Sequence, residues 1–157
     1  MKPSFHFVAL VAATASLQTF AGEPKDPLCA PLQAFVASVV PGESRALIFH
    51  TRWGANFKDS VEDAVSAKRC IHSGYAPAKA VCELLMERGS VEVSGNNGER
   101  ALMCLSPGTR FARRIDMLRG AFSFKYGTEE RGSNVKLLFD EDLQLGGMAL
   151  QIVADGY

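Results

Sequence analysis

Beyond the first 21 residues the chain carries two histidines, His50 and His72, and imidazole is the usual side-chain base near neutral pH. Either could serve a small exported hydrolase if the fold set it in a cleft beside an aspartate or glutamate. Otherwise both are structural or surface residues. His72 stands two residues from Cys70. On a helix, residues two apart do not face each other, which argues against a thiol–imidazole pair. No Gly-x-Ser-x-Gly elbow is present, and no Gly-Lys-Ser/Thr loop that would cradle phosphate.

His50 belongs to a second constellation with Arg52 and Trp53 at the end of an apparent strand. Trp and Arg are enriched where proteins bind one another. The competing reading makes Trp53 core, because it shares strand parity with Leu47 and Phe49. Arg110, Arg113, Arg114 and Arg119 form the densest basic run. They suit an anionic partner, or a solvated face balanced by Glu99, Asp116, Glu129 and Glu130. The whole chain has 17 basic and 17 acidic residues. Such a balance argues against nucleic-acid binding, which needs a net basic face.

Cys29, Cys70, Cys82 and Cys104 are the four cysteines. An even number in an exported chain points to two disulfides. The preferred pairing is Cys29–Cys70 with Cys82–Cys104, from antiparallel helices whose ends meet. The rival is Cys70–Cys82 with Cys29–Cys104. No Cys-x-x-Cys spacing is present, which disfavours zinc. No pattern calls for a cofactor or a metal.

Export is read from the start of the chain. Lys2 precedes an apolar run from Phe5 to Leu17, shorter than the roughly 20 apolar residues a bilayer-spanning helix needs. Thr19 and Ala21 are small residues suited to cleavage before Gly22, and Ala13-Thr14-Ala15 is an earlier alternative. Residues 1–21 are therefore expected to be a signal peptide, and 22–157 one disulfide-stapled domain. Leu28 before Cys29 is too bulky for lipoprotein processing. No later stretch is apolar for long enough to span a membrane.

The elements follow from periodicity and punctuation. Leu32, Phe35, Val36 and Val39 predict a helix from about Leu28 to Val40, stopped by Pro41-Gly42. Arg45 to Trp53 alternates as a strand. Asp59 or Ser60, followed by Glu62 or Asp63, resembles a capping box for a second helix lined by Val61, Ala64, Val65 and Ile71 and ended by Gly74. A third helix runs from Pro77 to Gly89, with Val81, Leu84 and Leu85 inward. Val91 to Ser94 and Arg100 to Leu105 read as a hairpin about Gly95-Asn96-Asn97-Gly98, residues that tolerate positive φ. Thr109 to Arg119 is ambiguous between helix and loop. Phe122 to Tyr126 and Val135 to Phe139 make another hairpin, and Met148 to Ile152 the last strand. The expected fold is α+β: three N-terminal helices with one early strand, packed on a mainly antiparallel sheet of about five later strands.

The segment Val93-Ser94-Gly95-Asn96-Asn97-Gly98 is similar to the Ser-Gly loop that periplasmic lysozyme inhibitors insert into their target. It lacks the aromatic that follows in those loops, since Ala101 and Leu102 stand there. Two residues in a turn assign no family. Ser94, Asn96 and Asn97 join His50, Arg52, Trp53, Arg110, Arg113 and Arg114 as candidate binding residues. The expected function is that of a periplasmic or secreted non-catalytic binding protein whose partner is another protein, of inhibitor or immunity type. The alternatives are the hydrolase above, or an envelope component that self-associates through its last strand.

Overall fold

The computed structural model describes residues 26–111 and 116–157. The expected leader, and Arg113 and Arg114, lie outside the described residues. Eight elements follow in order: α1 Cys29–Ser38, β1 Ser44–Trp53, β2 Ser66–Ile71, α2 Ala76–Arg88, α3 Gly95–Leu105, β3 Gly120–Gly127, β4 Gly132–Glu141 and β5 Met148–Gly156. The five strands form one antiparallel sheet in the order β2-β1-β5-β4-β3.

The helices pack on one face of this sheet. Leu32, Phe35 and Val36 of α1, Val81 and Leu85 of α2, and Leu102 and Leu105 of α3 are buried against Leu47, Phe49, Leu137, Phe139, Leu150 and Ile152. Strand side chains alternate between faces, so the intervening residues Ile48, Leu138, Ala149 and Gln151 lie on the other side. Among the described residues no helix covers that side. Its center is thereby left open to solvent.

The α+β class is as expected, but the order of elements is not. The segment expected as a second helix contains β2 instead. Val61 is fully exposed and Val65 largely so, so the supposed apolar stripe has nothing to bury against. Cys70 is opposite buried Phe49 in the β1–β2 register, and the pairing with β1 decides the local structure. The expected hairpin over residues 91–105 contains α3. Here Ala101, Leu102 and Leu105 supply a helical stripe. Gly95 serves close packing, since a Cβ there would overlap the carbonyl of Met117. Asn97 is buried and exchanges two hydrogen bonds with the backbone of Ser90, at 2.9 and 2.7 Å. Two strands thus precede α2 and three follow α3, rather than five late strands.

The disulfides are Cys29–Cys104 and Cys70–Cys82, with Cα separations of 4.7 and 5.5 Å. The preferred pairing is therefore overturned in favor of its rival. Cys70 lies on a strand and not at a helix end, and α2 packs over β1 and β2, bringing Cys82 to it. Helix α1 packs against α3, which brings Cys104 to Cys29. The last strand, β5, lies between β1 and β4, so both its edges are already paired. Self-association through that strand has no free edge to use.

Candidate functional site

The site grows from His50 and from a turn that the sequence did not single out. His50 faces the helix-free side of β1, opposite Arg69 on β2 and Ala149 on β5. It is nonetheless buried, at 6% exposure. Phe57, in the loop after β1, presents a ring edge-on to the imidazole at 6.4 Å. Asp142, at the end of β4, brings Oδ2 to 2.8 Å from His50 Nδ1. At this distance the carboxylate and the imidazole are paired electrostatically. Among the described residues His50 Nε2 has no hydrogen-bond partner, and it is shielded from solvent.

Asp142 is held from below by its own turn. Its Oδ1 accepts the N–H groups of Gln144 and Leu145 at 2.8 and 3.0 Å. Burial works against its charge, but these two hydrogen bonds and the neighboring His50 outweigh burial and hold its carboxyl below the ordinary aspartate value. The turn closes through Gly146 and Gly147, both in the left-handed region at φ 77° and 85°. A Cβ at Gly147 would also overlap the carbonyl of Thr51.

The loop after β1 is tied to the same turn. Lys58 donates its backbone N–H to Leu145 O at 2.8 Å and its Nζ to Leu143 O at 3.0 Å. Arg52 donates to Leu145 O at 3.3 Å. At the loop's far side Asp59 accepts two hydrogen bonds from Arg69, whose guanidinium lies 4.8 Å from the Phe57 ring center. The Asp59 carboxyl is lowered chiefly by that arginine.

His50 and Asp142 form one wall of a cavity of about 590 Å³ on the open sheet face. Two cross-strand rows build it. Ile48, Gln151, Leu138 and Ala121 are successive neighbors across four strands, and His50, Ala149 and Asp140 form the adjoining row. The short side chains of Ala121 and Ala149, set among longer neighbors, leave the concavity. Arg119 bonds Asp140 at 2.6 Å along the rim, and Glu141 and Leu143 complete it. The size is in the range of ligand pockets, about 300–1,000 Å³. Among the described residues no serine, threonine or cysteine lines the cavity. The wall therefore offers a base and carboxylates, with no hydroxyl or thiol nucleophile among the described residues.

The other candidates fall elsewhere. Trp53 is 56% exposed and not core. Pairing between β1 and β5 ends at Thr51, leaving Trp53 opposite only Ser66 at the sheet corner. Ser94 precedes α3 without a capping hydrogen bond, Asn96 is exposed on α3 and Asn97 is structural, so the loop-like reading of this segment does not hold. Arg110 is exposed. His72 forms no ion pair with a carboxylate among the described residues, and Cys70 beside it is in a disulfide. Asp142 is the residue that sequence reasoning missed. Its signal was an acidic residue four places before Gly146-Gly147, the pattern of an Asx turn.

Among the described residues no three His, Cys, Asp or Glu side chains gather as a metal site, and no helix is long and apolar enough to cross a membrane. No family model, curated protein or solved structure matches the chain.

Proposed function

We propose that this chain is a periplasmic or secreted, non-catalytic binding protein that presents the open face of its sheet to another protein, as an inhibitor or immunity-type partner of a secreted or envelope enzyme. The observation that carries this reading is the cavity at the center of a helix-free sheet face, apolar across Ile48, Ala121, Leu138 and Ala149 and bordered by exposed Leu143. Such apolar concavities with a polar rim are where partners seat anchor side chains. Two disulfides fit a domain that works in an oxidizing compartment.

The test immobilizes the oxidized full chain and captures from envelope and culture fractions of the producing cells. One defined protein, retained by the wild type and lost with Leu138→Asp, supports the reading. Retention that is indifferent to Leu138→Asp contradicts it.

One observation favors a second reading, a small exported hydrolase. His50 and Asp142 are paired at 2.8 Å on a cavity wall, an arrangement in which a carboxylate orients an imidazole that activates water. Turnover of ester, amide, phosphate or glycoside model substrates that disappears in His50→Gln would establish it. Absence of His50-dependent turnover across the panel excludes it for those bond classes.

A further inference from the structure

We propose that two copies of this chain associate edge to edge through β3, forming one continuous antiparallel sheet about a two-fold axis at Ser123. This pairing uses the edge of the sheet and leaves its open face as it is.

Among the described residues the sheet has two edge strands, β2 and β3. β2 is guarded: within six residues it carries both Lys68 and Arg69, and charges on an edge strand oppose pairing. β3 has eight residues, no proline and one charge, Lys125. That charge lies back over its own sheet, with Nζ 5.5 Å from the center of the Tyr157 ring. Ala121, Ser123 and Lys125 are exposed, and among the described residues no strand pairs with the free side of β3.

The phase of the β3 backbone follows from its neighbors. Gly132 and Tyr157, just past β5, exchange backbone hydrogen bonds at 3.2 and 3.0 Å. Residues along an antiparallel strand turn their N–H and C=O groups to alternate sides, so the next residue, Ser133, directs its own to Tyr126 on β3. Counting back from Tyr126, Phe124 and Phe122 bond to β4. The N–H and C=O groups of Ala121, Ser123 and Lys125 therefore point to the free edge.

A second copy matches this edge in phase and in side chains. Bonded pairs form only between residues whose groups both point outward. Centering on Ser123 satisfies this: Ser123 meets Ser123, and Ala121 meets Lys125 in both directions, giving about six ladder hydrogen bonds. The same register sets the aromatic side chains of the helix-side face against one another. Phe122 comes opposite Phe124 of the copy. Tyr126 comes opposite Gly120, over which the Phe122 ring leans so closely that a Cβ at Gly120 would stand 2.7 Å from it. Phe122, Phe124 and Tyr126 are only partly buried against their own core, and the seam covers what they leave exposed. Lys125 faces alanine instead of its own copy. Arg119, the other cation near the seam, is already paired with Asp140 at 2.6 Å. A second copy supplies all of these matches at once. One strand pair is a small interface, so the dimer is expected in the micromolar range.

Sedimentation equilibrium of the oxidized full chain over about 1–500 μM tests this pairing. The wild type is expected to pass from monomer to dimer. Ser123→Pro removes an outward N–H and leaves the β4 ladder alone, so it should keep its urea midpoint and stay monomeric. Ser123→Lys sets like charges opposite each other at the axis and should weaken the dimer about fivefold or more. Cross-linking reads the register. Ser123→Cys should form an intermolecular disulfide under mild oxidation, because a bonded pair holds its Cα atoms about 5.5 Å apart, and Lys125→Cys should not. A monomer at the highest concentration, a dimer of wild-type affinity in either folded Ser123 variant, or cross-linking of Lys125→Cys as readily as Ser123→Cys overturns the proposal. None of these outcomes bears on the open-face reading, whose own test is loss of the captured partner with Leu138→Asp.

Discussion

The Asp142 carboxylate closes the β4–β5 turn with one oxygen and approaches His50 Nδ1 to 2.8 Å with the other. One side chain therefore sets both the shape of the turn and the orientation of the imidazole at the cavity wall. Asp142→Ala is expected to cost about 1.5–3 kcal/mol, the range for hydrogen bonds to a charged group. Asp142→Asn keeps an oxygen for Gln144 and Leu145 and should cost less. Urea unfolding of the oxidized protein measures both, and equal losses would show that the turn bonds contribute little.

Stability against acid follows from the same carboxylate and from Asp26. Asp26 is lowered first by its hydrogen bonds from Arg100, at 2.6 and 2.8 Å, against a smaller opposing effect of burial. Both groups have folded values below the ordinary 3.8. As pH falls the unfolded chain takes up these protons first, so the stabilization is complete above about pH 5 and is lost as pH drops through the folded values. The urea midpoint should fall with pH below about 4, and Asp26→Asn with Asp142→Asn should flatten that decline. An unchanged slope in the double variant would contradict the assignment.

The two disulfides should contribute unequally. Cys29–Cys104 closes a separation of 75 residues and Cys70–Cys82 one of 12. Loop entropy assigns about 4–5 kcal/mol to the first and about 3 kcal/mol to the second. Non-reduced peptide mapping should find these two pairs, and the double serine variants should lose stability in that order. Recovery of Cys29–Cys70 or Cys82–Cys104 would overturn the packing of α1 on α3.

Gly147 and Gly42 separate backbone strain from overlap. Both have positive φ, at 85° and 81°, but only Gly147 has a backbone carbonyl where a Cβ would stand. Gly42→Ala should cost about 1 kcal/mol and Gly147→Ala more, with the added loss of His50-side amide shifts in the turn. Similar costs at the two positions would mean that the turn yields easily.

Much of the sheet was legible because its strands alternate. Leu47 and Phe49, Val135 to Phe139, and Leu150 with Ile152 all bury the residues that parity assigns inward. Trp53 broke the rule because parity fixes a face but not whether a helix covers that end. The α2 helix was legible from Pro77 and Gly89. Two segments misled for opposite reasons. At 59–71 local capping chemistry imitated a helix start, while a disulfide and a register with β1 drew the chain into a strand. At 95–98 turn-forming residues were read for their φ tolerance, although Gly95 is there for close approach to Met117 and Asn97 for bonds to Ser90. The site stayed hidden because His50 and Asp142 are far apart in sequence, and periodicity does not reveal which turn will meet which strand.

The central claim is that the open sheet face, and not the helical face, binds the partner. Two exposed apolar residues make a matched pair for testing it: Leu138 on the open face is 41% exposed and Met103 on α3 is 43% exposed. Affinity for the captured partner should be measured by isothermal titration for wild type, Leu138→Asp and Met103→Asp, each checked for an unchanged urea midpoint. The account predicts a loss of about tenfold or more for Leu138→Asp, the size expected near an interface center, and a change within about twofold for Met103→Asp. Unchanged affinity in Leu138→Asp, or a larger loss in Met103→Asp, would contradict it.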